Sequence, residues 1–145
     1  MISIATDQYM HKAIGVANGV GGQVVDEPKF IEWWGKMIRA GVATVFYRED
    51  SNHRLRESMG ILCFDSPCTG QREAAISFWF CDFSEPPSLV KGILFARVID
   101  YLKDQQFAYL YCNVNLDERK GVVSSFLVGN GFRATDVQFK KKLCQ

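Results

Sequence analysis

The chain has 145 residues, 48% hydrophobic and 23% charged, a balance that fits one folded domain with its own core and excludes a disordered segment. A net charge of +1 provides no field to hold nucleic acid or an anionic membrane surface, so neither is expected as a partner. No apolar run reaches the ~18 residues of a membrane span.

The opening "MISIAT" alternates as a strand does, and "DQYMHKAIGVANG" predicts a short helix with Asp7 as its cap and Gly19 near its end. No basic segment followed by an unbroken apolar stretch occurs here, so the start does not look like a secretion signal, and it is the cysteine usage described below that predicts a reducing, cytoplasmic compartment. "GVGGQ" is too rich in glycine for regular structure and is expected to be a loop. "DEPKFIEWWGKMIRAG" (26–41) predicts a second helix, with Asp26 or Glu27 ahead of Pro28 in the first turn and Gly41 closing it. Its apolar residues Phe30, Trp33, Trp34, Met37 and Ile38 recur at helical spacing.

Three strands are predicted next: "VATVFYRE" (42–49), "MGILCFD" (59–65) after a polar loop "DSNHRLRES", and "REAAISFWFCDF" (72–83) after a turn at "SPCTGQ". In the third strand Ile76, Phe78 and Phe80 are expected on one face and Ala75, Trp79 and Cys81 on the other. Both faces are apolar, which predicts a central strand covered on both sides. "PPSLVKGILFARVIDYLKDQ" then predicts a helix over 89–104, with Ser88 as cap, Gly92 in the first turn, and a stripe through Leu89, Ile93, Ala96, Ile99 or Asp100, and Leu102 or Lys103. A strand (107–115), a helix (116–131) and a final strand (132–143) complete an order of βα–α–βββ–α–β–α–β. A right-handed crossover through the helix at 89–104 would join two parallel strands in a mixed sheet.

Cys63, Cys68, Cys81, Cys112 and Cys144 are odd in number and include no C-x-x-C pair, which predicts a reducing compartment, no disulfide and no metal site. A nucleophilic Cys112 would need His11 or His53 beside it, and a buried thiol is the preferred reading. The lysines of "FKKK" (139–142) are read as protecting an edge strand rather than contacting nucleic acid. Trp33, Trp34 and Trp79 are read as core or interface residues.

This order of elements resembles the GNAT superfamily of acyl-CoA-dependent N-acyltransferases, well over about residues 42–143 and in element order alone before them. Three local features carry the resemblance. Gly60 stands where a glycine opens the second meander strand, Pro86 lies six residues before Gly92, and "GNGF" (129–132) resembles the family's junction of last helix and last strand. The resemblance implies a single α/β (α+β) domain over 1–145, a GNAT-like mixed, mostly antiparallel sheet flanked by helices.

It also implies a site. The fourth strand would splay from the fifth at Phe83, Ser84 and Glu85 to receive the pantetheine arm of acetyl-CoA or another acyl-CoA. The amides from Leu89, Val90, Lys91, Gly92, Ile93 and Leu94 would hold its diphosphate at the helix start. Asp82 and Glu85 stand where the family at times places a carboxylate to deprotonate the amine. Of the family's loop pattern only the middle glycine, Gly92, is kept, and a branched side chain at Leu94 would take space left open to diphosphate oxygens. Lys91 in the first turn opposes the helix dipole by about 0.3–1 kcal/mol unless an anion binds there, and a lysine reaching into water is the plain alternative. The position of the family's tyrosine acid is occupied by Leu127, and that of its asparagine by Lys120.

Two functions therefore follow. One is transfer of an acetyl or acyl group from acyl-CoA to an amine. The other is a catalytically inactive GNAT-fold binding or structural subunit with protein partners, such as a component of a tailed-phage virion.

Overall fold

A computed structural model describes residues 2–4, 26–81, 92–113, 122–136 and 138–144. Strands β1 (Ile2–Ile4), β2 (Ala43–Glu49), β3 (Leu55–Asp65), β4 (Arg72–Cys81) and β5 (Tyr109–Cys112) form one sheet in the order β1-β2-β3-β4-β5. The first three pairings are antiparallel and β4–β5 is parallel. Helix α1 (Glu27–Arg39) precedes β2, α2 (Ile93–Asp104) connects β4 to β5, and α3 (Val122–Gly129) follows. The mixed, mostly antiparallel sheet with helices is the expected architecture. Contacts group the chain into two compact units, 1–112 and 113–145.

Helix α1 starts where Asp26 Oδ1 accepts the Lys29 N–H at 3.1 Å, a side-chain cap followed by Pro28 in the first turn. It ends at Gly41, whose φ of +75° suits a residue without Cβ. There the Gly41 N–H donates to Ile38 at 3.0 Å and the Val42 N–H to Met37 at 3.1 Å, satisfying the last carbonyls. Its inner stripe is Phe30, Ile31, Trp34, Met37 and Ile38, packed on Val45, Phe78 and Phe80 of the sheet. Trp33, expected in that stripe, is 44% exposed and touches Trp34 edge-on.

The opposite sheet face carries α2. Trp79 stacks on Phe95 with centroids 5.6 Å apart, and Phe46 meets Tyr101 edge-on at 5.1 Å. The buried stripe of α2 is Leu94, Phe95, Val98 and Leu102, so the predicted stripe is corrected by a rotation of the helix: Ile93 and Ala96 face outward. Gly92 is the N-cap and not a first-turn residue, so it does not carry the penalty of an interior helical glycine. Ser88 and residues 89–91 lie outside the described residues.

Two register shifts correct the strand predictions. Between β2 and β3, Arg48 faces Glu57 but Glu49 faces Leu55, so β3 begins at Leu55, inside the predicted loop, with Arg56 as the extra residue. That loop read as polar because Glu57 and Ser58 are charged or hydroxylic, yet both are fully buried. Between β3 and β4, Gly60 faces Phe78 but Ile61 faces Ile76, which leaves Ser77 without an opposite residue. Strict alternation fails at this bulge. Phe78 and Phe80 face α1 as expected, while Ile76 joins Ile61 and Trp79 on the α2 side and Ala75 joins Leu62 on the α1 side. Gly60 lies in mid-strand rather than at its opening, under the rings of Phe78 and Trp34.

In the second unit, α3 spans Val122–Gly129, shorter than the predicted 116–131, of which 116–121 lie outside the described residues. It closes at Gly131, φ +87°, with the Phe132 N–H donating to Leu127 at 3.0 Å and the Gly131 N–H to Val128 at 3.1 Å. The predicted final strand is not formed by the described residues of 132–144, and the reading of "FKKK" as an edge strand goes with it. The apolar/polar alternation there is genuine, but a strand exists only with a ladder partner, and Phe139 is 90% exposed. The predicted first helix and its glycine-rich loop lie outside the described residues.

Candidate functional site

The β4–β5 ladder ends at a definite place among the described residues. This parallel ladder runs from Glu73–Tyr109 to Ile76–Cys112, whereas β4 continues to Cys81. The bulged Ser77 sits at that point and is exposed, between buried Ile76 and Phe78. A bulge adds twist to the strand that carries it, and this one, in the β3–β4 ladder, falls at the residue after the last β4–β5 rung. Backbone hydrogen-bonding groups on the β5 side of β4 are therefore outside the β4–β5 ladder from Ser77 onward. Ser77 escaped the sequence analysis because a lone serine between apolar residues carries no motif. Its signal was the polar interruption of a strand that is otherwise buried.

The second element is the start of α2. Gly92 caps it with no side-chain hydrogen bond to the first turn, while the Gly92 carbonyl accepts the Ala96 N–H at 2.8 Å. No atom of the described residues lies within 4 Å of where a Cβ on Gly92 would stand. First-turn amides of a 12-residue helix, with no cap from a side chain among the described residues, are a favourable place for an anion. Leu94 is fully buried, so its side chain belongs to the inner stripe of α2 with Phe95, Val98 and Leu102. The helix turns it inward.

Of the sequence-predicted site residues, Gly92, Ile93 and Leu94 are brought to this helix start. Asp82, Phe83, Ser84, Glu85, Leu89, Val90 and Lys91 lie outside the described residues, as do Pro86 and Lys120. Leu127, at the position of the family's acid, is 5% exposed.

Beneath the split strand lies a polar group that sequence reasoning did not single out. Glu57 on β3 is fully buried; its Oε1 accepts the Trp79 Nε1–H at 2.7 Å and its Oε2 the Arg48 Nε–H at 3.3 Å. The Arg48 side chain is itself 11% exposed, so charge is balanced inside the fold. Elsewhere, burial pushes the half-buried Cys63 thiol up, against the opposing effect of Arg72. His53 is at the tip of the β2–β3 turn, beyond the Glu49–Leu55 rung, while Cys112 shares the rung of Thr44, Ile61 and Ile76. The sheet thus separates these two candidates for nucleophile and base. Among the described residues no three His, Cys, Asp or Glu side chains could hold a metal ion, and no helix is long and apolar enough to cross a membrane.

No protein-family model matches the sequence, and no curated protein matches it. Solved structures do resemble it. A ribosomal-protein-alanine N-acetyltransferase from Brucella melitensis biovar Abortus superposes with a TM-score of 0.77 at 10% identity, over 99% of each chain. A protein described as a predicted acetyltransferase from Clostridium acetobutylicum, crystallised with acetyl-CoA, gives 0.76 at 12% identity over 99% of this chain and 96% of its own. A GNAT family acetyltransferase from Staphylococcus aureus gives 0.76 at 10% identity over 99% and 98%. The chain has the GNAT fold.

Proposed function

We propose that this chain is an N-acyltransferase that moves an acetyl or other acyl group from acyl-CoA to an amine. The observation that carries the reading is the end of the β4–β5 ladder just before Ser77 together with an α2 start at Gly92 that no described side chain caps. A pantetheine arm needs strand backbone that is not already in a ladder, and a diphosphate needs helix-terminal amides. The Clostridium acetobutylicum neighbour that holds acetyl-CoA supports the same ligand for this fold.

Acyl-CoA supplies an activated thioester. In the proposed mechanism the amides of Ile93 and Leu94, with those of Leu89, Val90 and Lys91, grip the diphosphate, and the Lys91 ammonium offsets its charge. Backbone of β4 from Ser77 to Cys81, continued through Phe83 and Ser84, aligns the arm and polarises the thioester carbonyl with an N–H. Glu85 or Asp82, directly or through water, takes the proton that the amine loses on attack. Leu127 has no proton to give, so the leaving thiolate is protonated from water. Positioning and carbonyl polarisation then supply the acceleration. The non-catalytic assembly role has no observation in its favour.

Titration calorimetry with acetyl-CoA tests this reading. The native chain should bind, and Gly92→Ala should bind more weakly while melting at an unchanged temperature, because its new methyl meets no atom of the described residues within 4 Å. Absence of heat with the native chain would overturn the reading.

A further inference from the structure

The proposed mechanism makes no use of Glu57, although a fully buried carboxylate is costly unless its partners are held in place. Its position explains what it could do. Glu57 shares the rung Arg48–Glu57–Cys81, and Trp79 lies two rungs away in Phe46–Met59–Trp79, the next rung on the same sheet face. Trp79 is therefore two residues beyond Ser77, in the part of β4 that has left the β5 ladder. Its N–H is held by Glu57 at 2.7 Å and its ring lies on Phe95, the third residue of α2, at an interplanar angle of 20°. One indole thus spans the two halves of the candidate site, the separated strand and the helix start, and one carboxylate fixes that indole.

Resting on the acyl-CoA reading above, we propose that Glu57 is a positioning residue. Acting through the Trp79 indole, it holds the separated half of β4 at a set distance from the first turn of α2, and so sets the span between pantetheine and diphosphate grips. Arg48, ion-paired to the other carboxylate oxygen at 3.3 Å, holds the Glu57 carboxylate in orientation. A strand that has lost one neighbour has fewer restraints, and a site loosened by about 1 Å loses function even when the fold survives.

The test uses the full chain and acetyl-CoA as the probe. Trp79→Phe keeps an aromatic ring on Phe95 and removes only the N–H. Its acetyl-CoA affinity should fall about tenfold, the effect of losing a hydrogen bond to a charged partner. Glu57→Ala should show the same loss, Glu57→Gln should recover most of it because an amide oxygen still accepts the N–H, and Glu57→Ala combined with Trp79→Phe should be no weaker than either alone. Leu62→Ala, which loosens the core on the other sheet face, should lower the melting temperature and leave the affinity unchanged. Should Glu57→Ala fail to fold, Trp79→Phe decides the matter alone. In 15N-resolved NMR spectra of the native chain, the indole signal lost in Trp79→Phe should be displaced downfield and slow to exchange. Native affinity in Trp79→Phe, or an equal loss in Leu62→Ala, overturns the inference while leaving the acyl-CoA reading intact. A native chain that binds no acetyl-CoA overturns both.

Discussion

Replacing Gly60 by alanine would drive a methyl group into two aromatic rings. Built on the native backbone, the new Cβ would lie 2.6 Å from Phe78 Cδ1 and 2.7 Å from Trp34 Cη2, distances that real Cβ atoms essentially never show. Neither ring can give way easily. Phe78 is held between Trp34 at 4.8 Å, Phe80 at 4.6 Å and Phe30 at 5.5 Å, and Trp34 is 3% exposed. Overpacking of this kind costs about 1–3 kcal/mol, and the contact distances place Gly60→Ala at the upper end. About 0.5–1 kcal/mol returns because alanine loses less backbone freedom on folding than glycine. The net loss is about 2 kcal/mol, or a melting temperature lower by roughly 4–8 °C for a chain of this size. Urea unfolding at constant m-value measures it directly. Gly60→Ala in a Phe78→Leu background should cost less than in the native chain, because the Phe78 ring is gone and only the contact with Trp34 remains. An unchanged or raised urea midpoint in the single variant, or strict additivity in the double, would refute the packing argument.

Other consequences are smaller and equally measurable. Gln106 ends α2 at a φ of +62°, its N–H donating to Lys103 at 2.9 Å, so Gln106→Gly should stabilise the chain by about 0.5–1 kcal/mol in urea unfolding. The Ser58 hydroxyl is fully buried and has no hydrogen-bond partner, so Ser58→Ala should raise stability by about 0.5–1 kcal/mol, and a loss would show that the hydroxyl is satisfied. The Arg54 backbone N–H, then the Arg56 side chain and Asn52 N–H, hold the Asp50 carboxyl below its ordinary value of 3.8. A depressed folded value means that this contribution is complete above 3.8 and lost as pH falls through the folded value. The stability difference between the native chain and Asp50→Asn should therefore shrink on acidification below about pH 4.

Most of the fold was legible because local signals and tertiary demands agreed. Asp26, Pro28 and Gly41 mark α1 as caps and breakers do elsewhere, and the double-sided apolar run at 72–81 is central and covered on both faces. The failures share a cause. Arg56 and Ser77 are single extra residues in a ladder, and no composition or periodicity marks where a strand takes on such a residue. Beyond Ser77 toward the N-terminus every inferred facing on β4 was reversed, since one inserted residue exchanges the two faces. Glu57 and Ser58 were read as loop for a related reason: burial of a charge becomes intelligible only once Arg48 and Trp79, distant in sequence, are seen to surround it.

The candidate site divides along the same line. Gly92 was legible, since a glycine beside two prolines before an apolar helix is a local statement, although its place as N-cap alters its cost. The strand half of the site was not, because its defining property is the point at which the β4–β5 ladder stops, and a ladder is a relation between residues 73–76 and 109–112. Ser77 has no opposite residue in β3 and follows the last β4–β5 rung, so on the proposed reading strand backbone is left to a ligand and one restraint on β4 is missing. Some other contact must then restrain the separated half. The indole of Trp79, gripped by Glu57 on one side and lying on Phe95 on the other, is placed to supply it, which accounts for the retention of a buried charge in a sheet that apolar residues could otherwise fill.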